Sequence, residues 1–217
     1  MTPPLTQFQT DLALALRDGT ACAIDPESSG LRFTTMVRRS WCEGRSIEAA
    51  RAVLALLPPR ERHRLVALYV DYGGGVAAFL PTESETLLPF LAQRLPNPSH
   101  ALTLCKMDRA LARARQGAAD FVAPTAKPER SILIRGPHAA LVWFHADPAA
   151  VMAAIGNGPV PPLGPPRQPV LFAPGLPNLF RLASRAEAAF WDSLPAADIR
   201  SPVAGQLLRD GAISCLA

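Results

Sequence analysis

Long apolar runs are missing from this chain: none reaches the roughly 18 residues that a membrane-spanning helix needs. Its first residues also lack a basic start, an apolar middle and a small-residue cleavage site. A soluble cytoplasmic protein with no membrane partner is therefore the expectation. Cysteine is scarce and scattered. Cys22, Cys42, Cys105 and Cys215 form no CxxC pair, which removes zinc-site spacing and argues against a disulfide framework in a reducing compartment. They read as buried packing thiols. Charge is thin too, at 18% of residues, and 22 Lys+Arg against 18 Asp+Glu leave a net of only +4. Such an excess suits an acidic peptide or protein surface better than nucleic acid, whose binders concentrate their charge.

Catalytic signatures are equally sparse. The triple glycine of DYGGG (71–75) has no GK[ST] after it and no strand before it, so a phosphate-binding loop is excluded. A helix stop and tight turn is its expected use. The four histidines, His63, His100, His138 and His145, make no HExxH motif. His145, two residues before Asp147 and not far from His138, is the nearest approach to an acid–base or metal set. No second carboxylate or activated nucleophile joins it. The adjacency of Ser99 and His100 says nothing about triad geometry. No catalytic residue, metal ligand or cofactor is assigned to the chain.

What is present is an apolar fraction of 49% over 217 residues, enough for a real core in one large domain or two small ones. The first half reads helical. Leu5, Phe8, Leu12 and Leu16 share one helical stripe in PLTQFQTDLALALRD, and a DPESSG loop follows. Residues 31–59 give one or two helices stopped by PP, and RERHRLVALYVDY gives a third ending at Gly73–Gly75. In FLPTESETLLPFLAQRL, Thr82 and Glu85 form a capping-box pattern. NPSHALTLCKMDRALARARQG opens on Ser99 as cap, carries Leu104, Met107, Leu111 and Ala114 on one face, and closes at Gly117.

Beyond Gly117 the texture changes to short β-like runs divided by proline and glycine. SILIRG and AALVWFHA, separated by GPH, read as a hairpin. DPAAVMAAIG is a short helix capped by Asp147 with Pro148 in its first turn. GNGPVPPLGPPRQP is an extended loop, and PVLFAP and LFRLA are further strands. Ala188, Phe190, Trp191 and Leu194 line one late helix. A second, from Ser201 and Pro202, carries Val203, Leu207 and Leu208 and runs through Gly211 into AISCL. Helix, turn, helix, strand is the second half of a winged helix, or two helices capping a sheet. The expected architecture is thus α+β: a helical domain over 1–122, then a small α+β domain over 123–217 with a winged-helix-like end.

Two surfaces stand out. Arg38, Arg39 and Arg45 surround Trp41, with Arg51 nearby, and Arg109 and Arg113 share a polar helix face with Lys106. Such arginines grip carboxylates or phosphates, or pair with local acids such as Glu43 and Glu48. In the second half, proline-interrupted strands such as SILIRG and PVLFAP are typical of sheet edges. An edge beside a helical groove can accept an extended peptide as one more strand.

The motifs C-x-x-D-R-A in CKMDRALARA, L-x-x-G-P-H-A-A at 133–140 and PVLFAPG at 169–175, behind a helical front half, resemble a known family. It is that of the small partner proteins encoded beside multinuclear non-haem iron-dependent oxidative enzymes, such as the methanobactin-biosynthesis partner, together with related proteins described as DNA-binding. The resemblance implies a non-catalytic subunit that binds a TIM-barrel iron enzyme and the leader of a ribosomally made precursor peptide, in part by strand addition. Oxidation at cysteine would occur on the partner, which holds the iron, and no cofactor would sit on this chain. Under it, Ile132, Ile134, Val142, Phe144, Val170 and Phe172 become candidate peptide-docking or sheet positions. Arg38, Arg39, Trp41, Arg45, Arg109 and Arg113 become candidate partner contacts. A winged-helix DNA-binding regulator is the alternative, though VAGQLLRDG offers only Gln206 and Arg209 for base contacts. A small enzyme using His138, His145 and Asp147 is a third reading.

Overall fold

The computed structural model describes residues 10, 29–75, 80–124, 132–155, 158–195 and 198–216, with side chains of 29–31 and 80–82 left aside. Of the predicted helix over Leu5–Leu16 only Thr10 is described, and it is helical; the rest lies outside these residues. The chain is α+β, with a helical N-terminal part. α1 (Ser29–Ala49) takes the last two residues of the DPESSG segment; α2 (Arg51–Leu56), α3 (Pro59–Asp71), α4 (Leu80–Ala92) and α5 (His100–Ala118) follow. Pro58 and Pro59 do stop α2, and Pro59 then opens α3, where a missing amide costs nothing. α3 ends in a Schellman motif: the Gly74 amide donates to Tyr69 and that of Gly73 to Val70, with Gly73 at φ +84°. The glycines of DYGGG are a helix stop.

Two local expectations need correction. α4 begins at Leu80, so Thr82 lies inside it and is no N-cap; Glu85 instead reaches across to α5. α5 runs one residue past Gly117, which is buried within it. A Cβ there would sit 2.6 Å from the His138 ring, so this glycine admits a neighbouring turn rather than ending a helix. Ser99 does cap α5, accepting from the Leu102 amide at 3.0 Å. The stripe of Leu104, Met107 and Ala114 is buried, but so are Ala101, Leu102, Cys105 and Ala110. α5 is the central helix, covered on more than one side.

The second half holds β1 (Ile132–Arg135), β2 (Ala140–Phe144), α6 (Pro148–Ile155), β3 (Gln168–Phe172), β4 (Phe180–Leu182), α7 (Arg185–Asp192), α8 (Pro202–Arg209) and β5 (Ile213–Leu216). β1 and β2 do not form a hairpin. β1 pairs antiparallel with β5, whereas β2 belongs to a separate antiparallel sheet of order β2-β3-β4. The GPH turn passes the chain from one sheet to the other: the Gly136 amide donates to Ala212 beside β5, and that of Ala139 closes back on Gly136.

The three-stranded sheet lies between two apolar layers, because successive side chains point to opposite faces. Ala140, Val142, Phe144, Val170 and Phe172 join Leu54, Leu88, Leu91, Leu104 and Met107 in the larger core. Leu141 and Leu171 join Leu133, Trp191, Leu207 and Ile213 in the smaller. The larger core thus spans both sides of residues 118–129. Ser184 and Glu187 start α7 with a reciprocal capping box, and Ser201 caps α8, with Pro202 at its first turn.

Candidate functional site

β3 is the middle strand of its sheet, so its proline needs a physical account. The Ala183 amide donates to the Pro169 carbonyl at 2.9 Å, and the Ala173 amide to Leu179 at 3.0 Å. Odd residues of β3 therefore face β4. The amide that Pro169 lacks would have served β4, and the Gln168 side-chain amide reaches the waiting Ala183 carbonyl at 3.5 Å instead. PVLFAP, read from its prolines as an edge strand, is the central strand.

The same alternation fixes the other strand. Val170 faces β2, so Val142, its register partner, faces β3. The backbone groups of Leu141 and Trp143 then point away from β3, to an edge with no strand partner among the described residues. Along that edge runs a groove of about 530 Å³, bordered by Ser99, Leu102, Thr103 and Lys106 of α5 and its cap, by Leu141 to Trp143 and His145, and by Asp192 at the end of α7. Leu141 and Val142 project to opposite faces of the sheet, so a groove touching both has to follow the strand margin.

Its far end is closed by the proline-rich loop. The Gly164 amide donates to the His145 carbonyl at 3.1 Å, and His145 Nδ1 donates to the Gly164 carbonyl at 2.8 Å. Exposed Lys106 on one wall and Asp192 on the other give the groove a charge of each sign. Helix flank, open backbone and closed end together suit an extended chain inserted as a fourth strand. Other edges are less complete. On β4, of three residues, one outward carbonyl, that of Leu182, already accepts from Arg181.

The nominated sheet positions divide. Val142, Phe144, Val170 and Phe172 are buried in the larger core, so their side chains hold the sheet and cannot meet a peptide. Ile132 is exposed and Ile134 half-buried on β1, remote in topology from β2. Sequence reasoning missed Trp143 and Asp192, and it grouped Lys106 with Arg109 and Arg113 on a helix face and not with β2. Trp143 was inside a recognised strand, but nothing in its neighbours says which edge is open.

The nominated partner residues divide as well. Arg113 makes a two-pronged pair with Glu85 at 2.7 and 2.9 Å, and Arg109 adds a third bond at 3.2 Å. These arginines fasten α5 to α4, and the Arg113 pairing holds the Glu85 carboxyl below its usual range. On α1, Arg39 bridges Glu43 and Asp71. Arg38 and Arg45 are half-buried, and Trp41 is exposed.

The residues of the enzyme reading have separate tasks. Asp147 caps α6 through the Ala149 amide, His138 packs on Gly117, and His145 holds the loop. No group of three His, Cys, Asp or Glu able to hold a metal occurs among the described residues. Cys42 and Cys105 are buried, and burial pushes the Cys105 thiol up to about 12. In α8, Gln206 donates to Asp210 and Arg209 donates to Gln206, so both base-contact candidates are engaged with neighbours. β5 pairs with β1, far back in the chain. No helix among the described residues is long and apolar enough to cross a membrane. No known family pattern matches this chain, and no curated protein is similar to it.

Proposed function

We propose that this chain is a non-catalytic cytoplasmic partner subunit that holds an extended peptide along the outer margin of β2 and presents it to a separate oxidative enzyme. The observation that carries the reading is the backbone of Leu141 and Trp143, which has no strand partner among the described residues and borders the groove beside α5. The client is the leader of a ribosomally made precursor, and the chemistry, at cysteine, belongs to a TIM-barrel iron enzyme. This chain contributes attachment: a tethered peptide sees the partner's active site at high effective concentration, so rate is gained without any reactive group here.

The test is selection of a displayed library of unstructured peptides on the purified chain. Peptides that lose binding when alternate amides are N-methylated, and keep it when only their side chains are shuffled between equivalents, support strand addition. Binders indifferent to N-methylation would contradict it. Co-expression with an adjacent iron enzyme, followed by pull-down, tests the partner half of the proposal independently.

A further inference from the structure

Lys106 and Asp192 border the β2 groove from opposite faces of the sheet. α5, through Leu104 and Met107, packs on the side where Val142 and Phe144 enter the larger core. α7, through Trp191, packs on the side where Leu141 meets the smaller core. Lys106 of α5 thus flanks one face of the margin, and Asp192, the last residue of α7, flanks the other. Trp143 lies two residues from Leu141 and so projects to the Asp192 side. The neighbours of Lys106 on its helix face, Arg109 and Arg113, are both taken by Glu85. The exposed side chains of Lys106 and Asp192 have no hydrogen-bond or ion-pair partner among the described residues.

We infer that the peptide held on the β2 margin carries an acidic and a basic side chain an odd number of residues apart, the acid facing Lys106 and the base facing Asp192. The inference rests on strand addition at that margin and adds the chemistry of the occupant. Successive side chains of an added strand alternate between the two faces of the sheet. Adjacent residues therefore meet opposite walls, and residues two apart meet the same wall. This parity survives a slip of register and a reversal of strand direction, since neither brings odd-spaced side chains to one face. An acid on the α5 side meets the Lys106 ammonium. A base on the α7 side meets the Asp192 carboxylate and has the Trp143 ring on the same face. Arginine answers both, because its planar guanidinium pairs with carboxylates and stacks on aromatic rings. Each contact is solvent-exposed, so the walls select among peptides more than they add affinity. Main-chain hydrogen bonds are the same for any sequence; the walls distinguish one client from another.

Fluorescence anisotropy on the purified full chain tests it with two synthetic strands of about ten residues and identical composition, built from Thr, Val and Ser. One has Glu and Arg adjacent at its centre, and the other has them two residues apart. The adjacent pair should bind about three- to fivefold more tightly in low salt. The difference should vanish at about 1 M NaCl, where screening acts within about 3 Å, while N-methylation of alternate amides still weakens binding. Lys106→Glu should erase the preference and favour a strand with two adjacent arginines; Asp192→Arg should favour two adjacent glutamates. Both positions are exposed, so neither substitution disturbs described packing. Equal affinity of the two strands, with binding still lost on N-methylation, would overturn the charge pattern and leave strand addition standing. A preference that persists in Lys106→Glu or at high salt would overturn it as well. Binding of neither strand, or binding indifferent to N-methylation, would remove the margin as a site and this inference with it.

Discussion

Asp108 stands on α5 but serves α2. Its carboxylate accepts from the Ala52 and Val53 amides, both at 3.1 Å, capping a helix whose own N-cap, Ala50, has no side chain to offer. Burial pushes this carboxyl up from 3.8 to about 6, against the pull of the two amide bonds. The native state therefore holds the proton more tightly than the unfolded one, and stability falls as pH rises from about 4 to about 6. The expected loss is about 2 kcal/mol, allowing for partial exposure, and a denaturant series across that range measures it. Asp108→Asn should flatten the profile while keeping an acceptor; Asp108→Ala should cost about 1–2 kcal/mol at pH 7. Arg181 is the second such residue. From β4 it pairs with Glu187 of the α7 capping box and with buried Asp210 at the end of α8. Arg181→Met leaves the buried Asp210 carboxylate without its cation and with only the Gln206 amide, and should lower stability by about 3 kcal/mol in the same assay. Neither role was legible in the sequence. CKMDRA drew attention as a motif, but the partners of Asp108 lie more than 50 residues away.

Among elements, those set by local rules were legible and those set by distant pairing were not. Ser99, Pro148, Ser201 with Pro202, and Gly73 each announce a helix boundary through their own backbone chemistry, and each was read correctly. Thr82 failed because Pro81 is tolerated in a first helical turn, so α4 already includes Leu80 and Pro81 ahead of it. β1 and β2 failed as a hairpin because strand pairing is decided by packing: Leu133 serves the smaller core and Val142 the larger. PVLFAP looked like an edge because the replacement donor, Gln168, is a side chain. Element geometry also gives a sharp test of the β2 margin. Trp143→Pro deletes an outward amide while leaving the ladder to β3 intact, and Trp143→Val retains it. The proline variant should bind a selected peptide roughly three- to tenfold more weakly than the valine variant, the worth of one main-chain hydrogen bond. Equal affinities by calorimetry would contradict strand addition.

Over the whole molecule, one sheet separates two apolar layers, and α5 anchors the larger. This arrangement leaves β2 marginal yet supported on both faces, with Leu141 on one core and Val142 on the other. A rigid edge of that kind loses little entropy when a peptide joins it. The α+β class and the helical front were readable from composition and punctuation; the open margin was not, since it depends on which strand pairs with which. If the chain supplies surface and its partner supplies iron, the chain purified alone should hold less than stoichiometric iron in a metal assay. The most direct measurement is amide exchange at Leu141 and Trp143, followed by NMR with and without a selected peptide. Binding along the β2 margin predicts that both amides slow markedly while Phe180 and Leu182 on β4 stay unchanged. Unchanged exchange at Leu141 and Trp143 with saturating peptide bound would contradict it.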